Sequence, residues 1–106
     1  MTDPSDTVQV FDVPVEQRFV VHGPGVEPEL IYRLQGGDLI LVHTEVPETM
    51  SGRGIGGKLV RAAVARARAD HLTLVPWCPY ARRWLKEHPD EAGGVDIDFK
   101  TPPPPS

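Results

Sequence analysis

The chain has 106 residues, of which 40% are hydrophobic and 25% charged, with a net charge of −4 and one cysteine. That length builds one domain around one modest core. The lone Cys78 excludes an internal disulfide and fits a reducing compartment, the acidic balance argues against a nucleic-acid partner, and scattered histidines beside one cysteine give no metal-ligand spacing. No apolar run reaches a membrane span and no basic, apolar leader opens the sequence, so the expected location is cytoplasmic.

In chain order, Met1 to Thr7 is polar and reads as a tail, and residues 8–100 as a single domain. Val8–Phe11 and Arg18–Val21 are short β-branched and aromatic runs, punctuated by Pro14 and by Gly23-Pro-Gly25, and read as strands. Pro28–Leu34 follows. Gly36-Gly-Asp38 then turns the chain into Leu39–Val46, giving an antiparallel meander whose last strand begins apolar, as when both faces are covered.

From Ile55 the apolar period becomes 3.6: Ile55, Leu59, Ala63 and Ala67 form a stripe widened by Val60 and Val64, which predicts a helix to about Asp70. Leu72–Val75 resumes as a strand parallel to the one before the helix, a right-handed β-α-β crossover. Pro79 suits a first helical position and Pro89 stops what it starts, so Tyr80–Glu87 reads as a second, short helix capped near Cys78. Gly93–Phe99 alternates apolar and acidic residues and predicts a short edge strand. Thr101–Ser106, with Pro102 to Pro105, reads as a proline-rich tail.

The chain is organised around Val46-Pro-Glu-Thr-Met-Ser-Gly-Arg-Gly-Ile-Gly-Gly-Lys-Leu-Val60, which joins a strand to the long helix. A helix start leaves backbone N–H groups unpaired at the positive end of the dipole, and Gly52, Gly54, Gly56 and Gly57 keep side chains away from them. The result is a seat for a phosphate, best for a pyrophosphate. The plainer alternative is that these glycines only turn the chain. A dinucleotide-binding turn does not fit, because Pro47 and four further residues separate the strand from Gly52 and no acid follows the next strand. A Walker loop does not fit either, since Leu59 follows Lys58. Met50 to Lys86 holds eight basic residues against Asp70 alone, while the rest of the chain carries three basic and fourteen acidic residues. Segregation of that kind suits a polyanionic ligand for Arg53 and Lys58, although a solvated helix face also accounts for several of these charges.

Ser51-Gly-Arg-Gly-Ile-Gly56 resembles the acyl-CoA-binding loop of the GNAT acetyltransferase superfamily, Gln/Arg-x-x-Gly-x-Gly/Ala, with Ser51 in the place usually held by Gln or Arg. The landmarks His43-Thr-Glu-Val-Pro47, the glycine loop, and Val75-Pro-Trp-Cys-Pro-Tyr80 followed by Trp84-Leu-Lys-Glu-His-Pro89 are similar in order and spacing to small stand-alone GNAT-like proteins of about 100 residues that carry a cysteine after the strand following the loop helix. The resemblance spans Phe19 to Pro89. It implies an α/β (α+β) fold: a GNAT-like, mostly antiparallel mixed sheet with a β-α-β acyl-CoA-binding core and a short C-terminal helix.

By the same resemblance the strands flanking the loop helix splay apart and admit the pantetheine arm of acetyl-CoA between them. Backbone groups near Glu45 and Val46 would meet its amides, and Ser51, Gly52, Arg53, Gly54, Ile55, Gly56, Gly57 and Lys58 its phosphates. The thioester would end near Cys78. A cysteine at a helix start also sits where the dipole favours thiolate over thiol. An amine could then attack the thioester directly, or Cys78 could first accept the acetyl group. His43 and Glu45, two apart on a strand and so on one face, are candidate bases. Tyr80 is the candidate proton donor to the CoA thiolate. Each has a plainer reading: Cys78 as a small buried hydrophobe, His43 as a hydrogen-bonded structural residue in a buried strand, Tyr80 and Trp84 as packing. The expected function is acetyl-CoA-dependent N-acetyl transfer to an amine of a small molecule or a protein lysine. The alternative is a non-catalytic acyl-CoA-binding sensor or scaffold, and the chain is expected as a monomer or homodimer.

Overall fold

The computed structural model describes residues 8–23, 25–48 and 54–103. Five strands, β1 Phe11–Val13, β2 Arg18–Val20, β3 Glu29–Gln35, β4 Asp38–Glu45 and β5 Thr73–Pro76, form one sheet in the order β1-β2-β3-β4-β5. All neighbours are antiparallel except β4 and β5. Helix α1, Ile55–Asp70, carries the chain from β4 to β5, and α2, Pro79–Glu87, follows β5. The expected mixed, mostly antiparallel sheet with a β-α-β unit and a short second helix is the fold observed.

Helix α1 turns the predicted stripe inward: Ile55, Leu59, Val60, Ala63, Val64 and Ala67 are all buried against the sheet. Phe19, Leu30, Tyr32, Leu39, Leu41 and Leu74 meet it from the strands, and Ala81, Trp84 and Leu85 from α2. One polar tie crosses this layer. The Tyr32 hydroxyl, fully buried on its ring, donates to Asp12 (2.5 Å), whose other oxygen accepts from Arg66 of α1 (2.5 Å), so β1, β3 and α1 share one network.

Two terminal expectations differ from what is seen. Strand pairing begins at Phe11, not Val8, and runs only to Val13, because Pro14 has no N–H for the ladder and starts a 3-10 turn. Val8 and Val10 instead pack their side chains on the core. Gly93–Phe99 is not a strand but makes one parallel bridge, Ile97 to Leu74, with hydrogen bonds from Leu74 N–H to Asp96 O and from Asp98 N–H to Leu74 O. Gly94 sits at φ +83°, and the Asp98 carboxylate caps the N–H groups of Lys100 and Thr101, which bends the chain off the sheet edge. Among the described residues no helix is long and apolar enough to cross a membrane. The tails at residues 1–7 and 104–106 lie outside the described residues.

Candidate functional site

The site lies where β4 and β5 part. Their pairing runs from Asp38↔Thr73 to Leu41↔Pro76, after which Cys78 N–H closes the crotch on Leu41 O (2.9 Å). Strand β4 continues to Glu45, so along Val42–Glu45 its β5 side has no strand partner among the described residues. The open edge is made by sequence: Pro76 ends β5, and Cys78 and Pro79 begin α2 as N-cap and first residue.

A bulge decides what faces the opening. Tyr32 pairs with Leu41 and Ile31 with His43, so Val42 is the extra residue on β4 and reverses the in-out parity beyond it. Thr44, opposite the buried Leu30, turns to the helix-covered face, where its Oγ1 lies 3.1 Å from Cys78 Sγ. Cys78 itself is 3% exposed. His43 and Glu45 share a face, as two residues apart on a strand should, and join through Nε2 and Oε2 at 2.9 Å. That face is the one opposite Cys78, and both side chains are more than half exposed, at 58% and 56%. His43 is therefore no buried structural histidine.

The loop helix starts as an anion seat would. Gly54 holds a left-handed φ of +71° and offers no side-chain cap, and the first helical bond runs from Lys58 N–H to Gly54 O (3.1 Å). The N–H groups of Ile55, Gly56 and Gly57 precede that bond and have no backbone acceptor among the described residues. Gly56 and Gly57, however, are buried against α2. A Cβ on Gly56 would stand 2.5 Å from the Tyr80 hydroxyl oxygen, and one on Gly57 2.7 Å from Trp84 Nε1. Helix packing alone therefore requires both glycines, apart from any ligand. The Tyr80 hydroxyl is brought by this contact to the first turn of α1, and burial raises its pKa above the ordinary phenol value. Ser51, Gly52 and Arg53 lie outside the described residues, while Val46 is half-buried just past the end of β4.

Much of the basic half of the chain is engaged internally. Arg61 pairs with Glu91 (2.6 Å), Arg66 with Asp12 and Asp70, and Arg68 and Arg82 donate to backbone carbonyls of residues 91, 93 and 99. Lys58, on the first turn of α1, has no ion pair among the described residues and remains available to an anion. The residue that sequence reasoning missed is Thr44. It sits between the two candidates that were chosen, and only the bulge distinguishes its face from theirs.

An acyl-CoA can be tested against these features. The orphan N–H groups of α1 suit a pyrophosphate, the unpaired edge of β4 suits the amides of an extended pantetheine, and Trp77 Nε1, next to Cys78 in the chain, is buried with no acceptor among the described residues. All three fit.

A meander joined by a glycine-started helix to a parallel strand that forks from its neighbour is consistent with the GNAT fold. Residues 18–93 match the family model described as GCN5-related N-acetyl-transferase, and the chain belongs to that family. Similar relatives include Protein NATD1 of Xenopus tropicalis, 32% identical over 90 residues covering 82% of this chain and 83% of the relative. Protein NATD1 of Gallus gallus is 36% identical over 61 residues, 57% of this chain and 56% of the relative. The Homo sapiens protein of the same name gives 36% over 61 residues, 57% and 54%.

Proposed function

We propose that the chain is an acetyl-CoA-dependent N-acetyltransferase that passes an acetyl group, by way of Cys78, to an amine of a small molecule or a protein lysine in the reducing cytoplasm. The observation that carries this reading is the placement of Cys78. It is the N-cap of α2 at the apex of the β4–β5 fork, its N–H is fixed on Leu41 O, and its Sγ lies 3.1 Å from Thr44 Oγ1.

Bound acetyl-CoA supplies an acetyl group activated as a thioester. The N–H groups of Ile55, Gly56 and Gly57 with the Lys58 ammonium would hold its pyrophosphate, joined by Ser51, Gly52, Arg53 and Gly54 as the sequence assigns them, while backbone at Glu45 and Val46 would align the pantetheine. Cys78 Sγ would bond to the acetyl carbon as the donor carbon–sulfur bond breaks; the Tyr80 hydroxyl would give its proton to the departing sulfur and be restored by the proton that the Cys78 thiol gives up. The acceptor amine would reach the Cys78 acetyl group through the β4–β5 fork, from the sheet face that carries His43 and Glu45. There His43, whose Nε2 lies 2.9 Å from Glu45 Oε2, would take the amine proton, and the bond between Cys78 Sγ and the acetyl carbon would break as the amide forms.

A second reading, a non-catalytic acyl-CoA-binding module, draws on the near-complete burial of Cys78 and on the placement of His43 and Glu45 across the sheet from it. Intact-mass analysis after incubation with acetyl-CoA separates the two. A covalent acetyl adduct on Cys78 supports the enzyme, whereas cofactor retained under native conditions with no adduct supports the module. Tyr80 gives a further expectation. Its raised pKa keeps the donor protonated, so turnover holds through neutral pH and falls only as pH rises past the ordinary phenol value of 10.0. In Tyr80→Phe the pH–rate profile loses that alkaline limb, and the rate at neutral pH drops by about a hundredfold.

A further inference from the structure

We propose that Thr44 is a positioning residue for Cys78, its hydroxyl selecting the orientation in which the thiol attacks; this deepens the covalent reading above and rests on it. Sequence spacing alone assigns Thr44 the wrong face. Regular alternation from the core-facing Leu41 would place His43 inward and Thr44 outward. With Val42 as an extra residue, Thr44 stands opposite Leu30, which is fully buried, and His43 opposite Ile31. The bulge thus exchanges an imidazole for a hydroxyl beside the sulfur.

The two partners are held from different elements. Cys78 is fixed at its backbone on both sides, its N–H on Leu41 O and its carbonyl accepting from Arg82 N–H, each at 2.9 Å. What remains free is rotation of the thiol about χ1. Thr44 is β-branched and stiff at χ1, and it sits in a strand paired to β3 through Leu30, so its Oγ1 is a fixed reference point. A hydroxyl 3.1 Å from Sγ favours the rotamer in which they meet, on the fork side of α2. As sulfur loses its proton, the Oγ1–H donates to a developing negative charge and the bond strengthens. The bond is worth most in the attacking state and least once the sulfur carries an acetyl group, whose sulfur is a poor acceptor.

The test compares wild type, Thr44→Val and Thr44→Ser, following Cys78 acetylation by intact mass over a series of acetyl-CoA concentrations. Valine keeps the shape and strand preference of threonine but has no hydroxyl; serine keeps the hydroxyl. The expected result is a limiting acetylation rate about tenfold lower in Thr44→Val, an unchanged half-saturating acetyl-CoA concentration, and recovery to within about threefold of wild type in Thr44→Ser. Equal limiting rates in wild type and Thr44→Val overturn the proposal. Equal slowing in the valine and serine variants also overturns it, because the methyl rather than the hydroxyl would then matter. If wild type forms no adduct while still binding CoA, the nucleophilic role of Cys78 fails and the role of Thr44 fails with it. An adduct formed at the same rate in wild type and Thr44→Val removes only the second.

Discussion

Gly57→Val is expected to lower the melting temperature by roughly 8–16 °C. Backbone conformation is not the cause, since Gly57 lies within α1 and a side chain is allowed there. The obstacle is Trp84 Nε1, 2.7 Å from where the new Cβ must go. Trp84 cannot swing aside cheaply: it is buried, its ring stacks on His88 at 4.2 Å, and the Arg61 guanidinium lies 5.3 Å from its centroid. Overpacking of such a site costs about 1–3 kcal/mol, reduced by a few tenths because valine is a better helix former than glycine. A net loss of about 2 kcal/mol converts to the stated shift for a domain of this size. Gly57→Ala places its Cβ against the same Trp84 Nε1 and should also lose stability, though less than valine, since alanine has no γ-methyls and recovers about 1 kcal/mol of helix propensity. Differential scanning calorimetry distinguishes the cases. A Gly57→Val protein melting with wild type would mean that α2 does not press on the start of α1.

Cys78→Ala is expected to abolish the acetyl adduct and to cut amine acetylation by at least about a hundredfold, as removal of a covalent nucleophile does. Alanine fits the space left by a buried thiol at a modest cost in stability, so the fold and the phosphate seat should persist, and CoA should still raise the melting temperature. Cys78→Ser should be nearly as inactive, because a hydroxyl at neutral pH is a much weaker nucleophile than a thiolate. The measurement is intact mass for the adduct and steady-state acetylation for turnover. A Cys78→Ala protein that turns over at the wild-type rate would leave direct attack by the amine as the route.

Local pattern made much of the fold legible. Helix α1 occupies Ile55–Asp70 because its 3.6-residue stripe is unbroken and Gly54 opens it, and α2 is bracketed by Pro79 and Pro89. The meander and the parallel return at β5 follow from strands divided by glycine and proline. What the sequence does not carry is information held by distant partners. The bulge at Val42 depends on pairing with β3 and is marked by no glycine or proline, so the faces of His43, Thr44 and Glu45 could not be read. The packing role of Gly56 and Gly57 could not be read, because Tyr80 and Trp84, which fill the space beside them, arrive on another element. The basic half looked more available to a polyanion than it is, since Arg66 finds Asp12, 54 residues away, and Arg61 finds Glu91, 30 away. At the C-terminus, alternation of apolar and acidic residues mimicked a strand that Gly94 and Asp98 bend away from the sheet.

The central claim is that the fork and the start of α1 receive an acyl-CoA, and the most direct measurement is the melting temperature of the full chain with and without saturating CoA. Binding to the folded state at a hundred times the dissociation constant adds about 2.7 kcal/mol, which predicts a rise of roughly 10 °C or more. Superimposable melting curves at millimolar CoA would contradict the account.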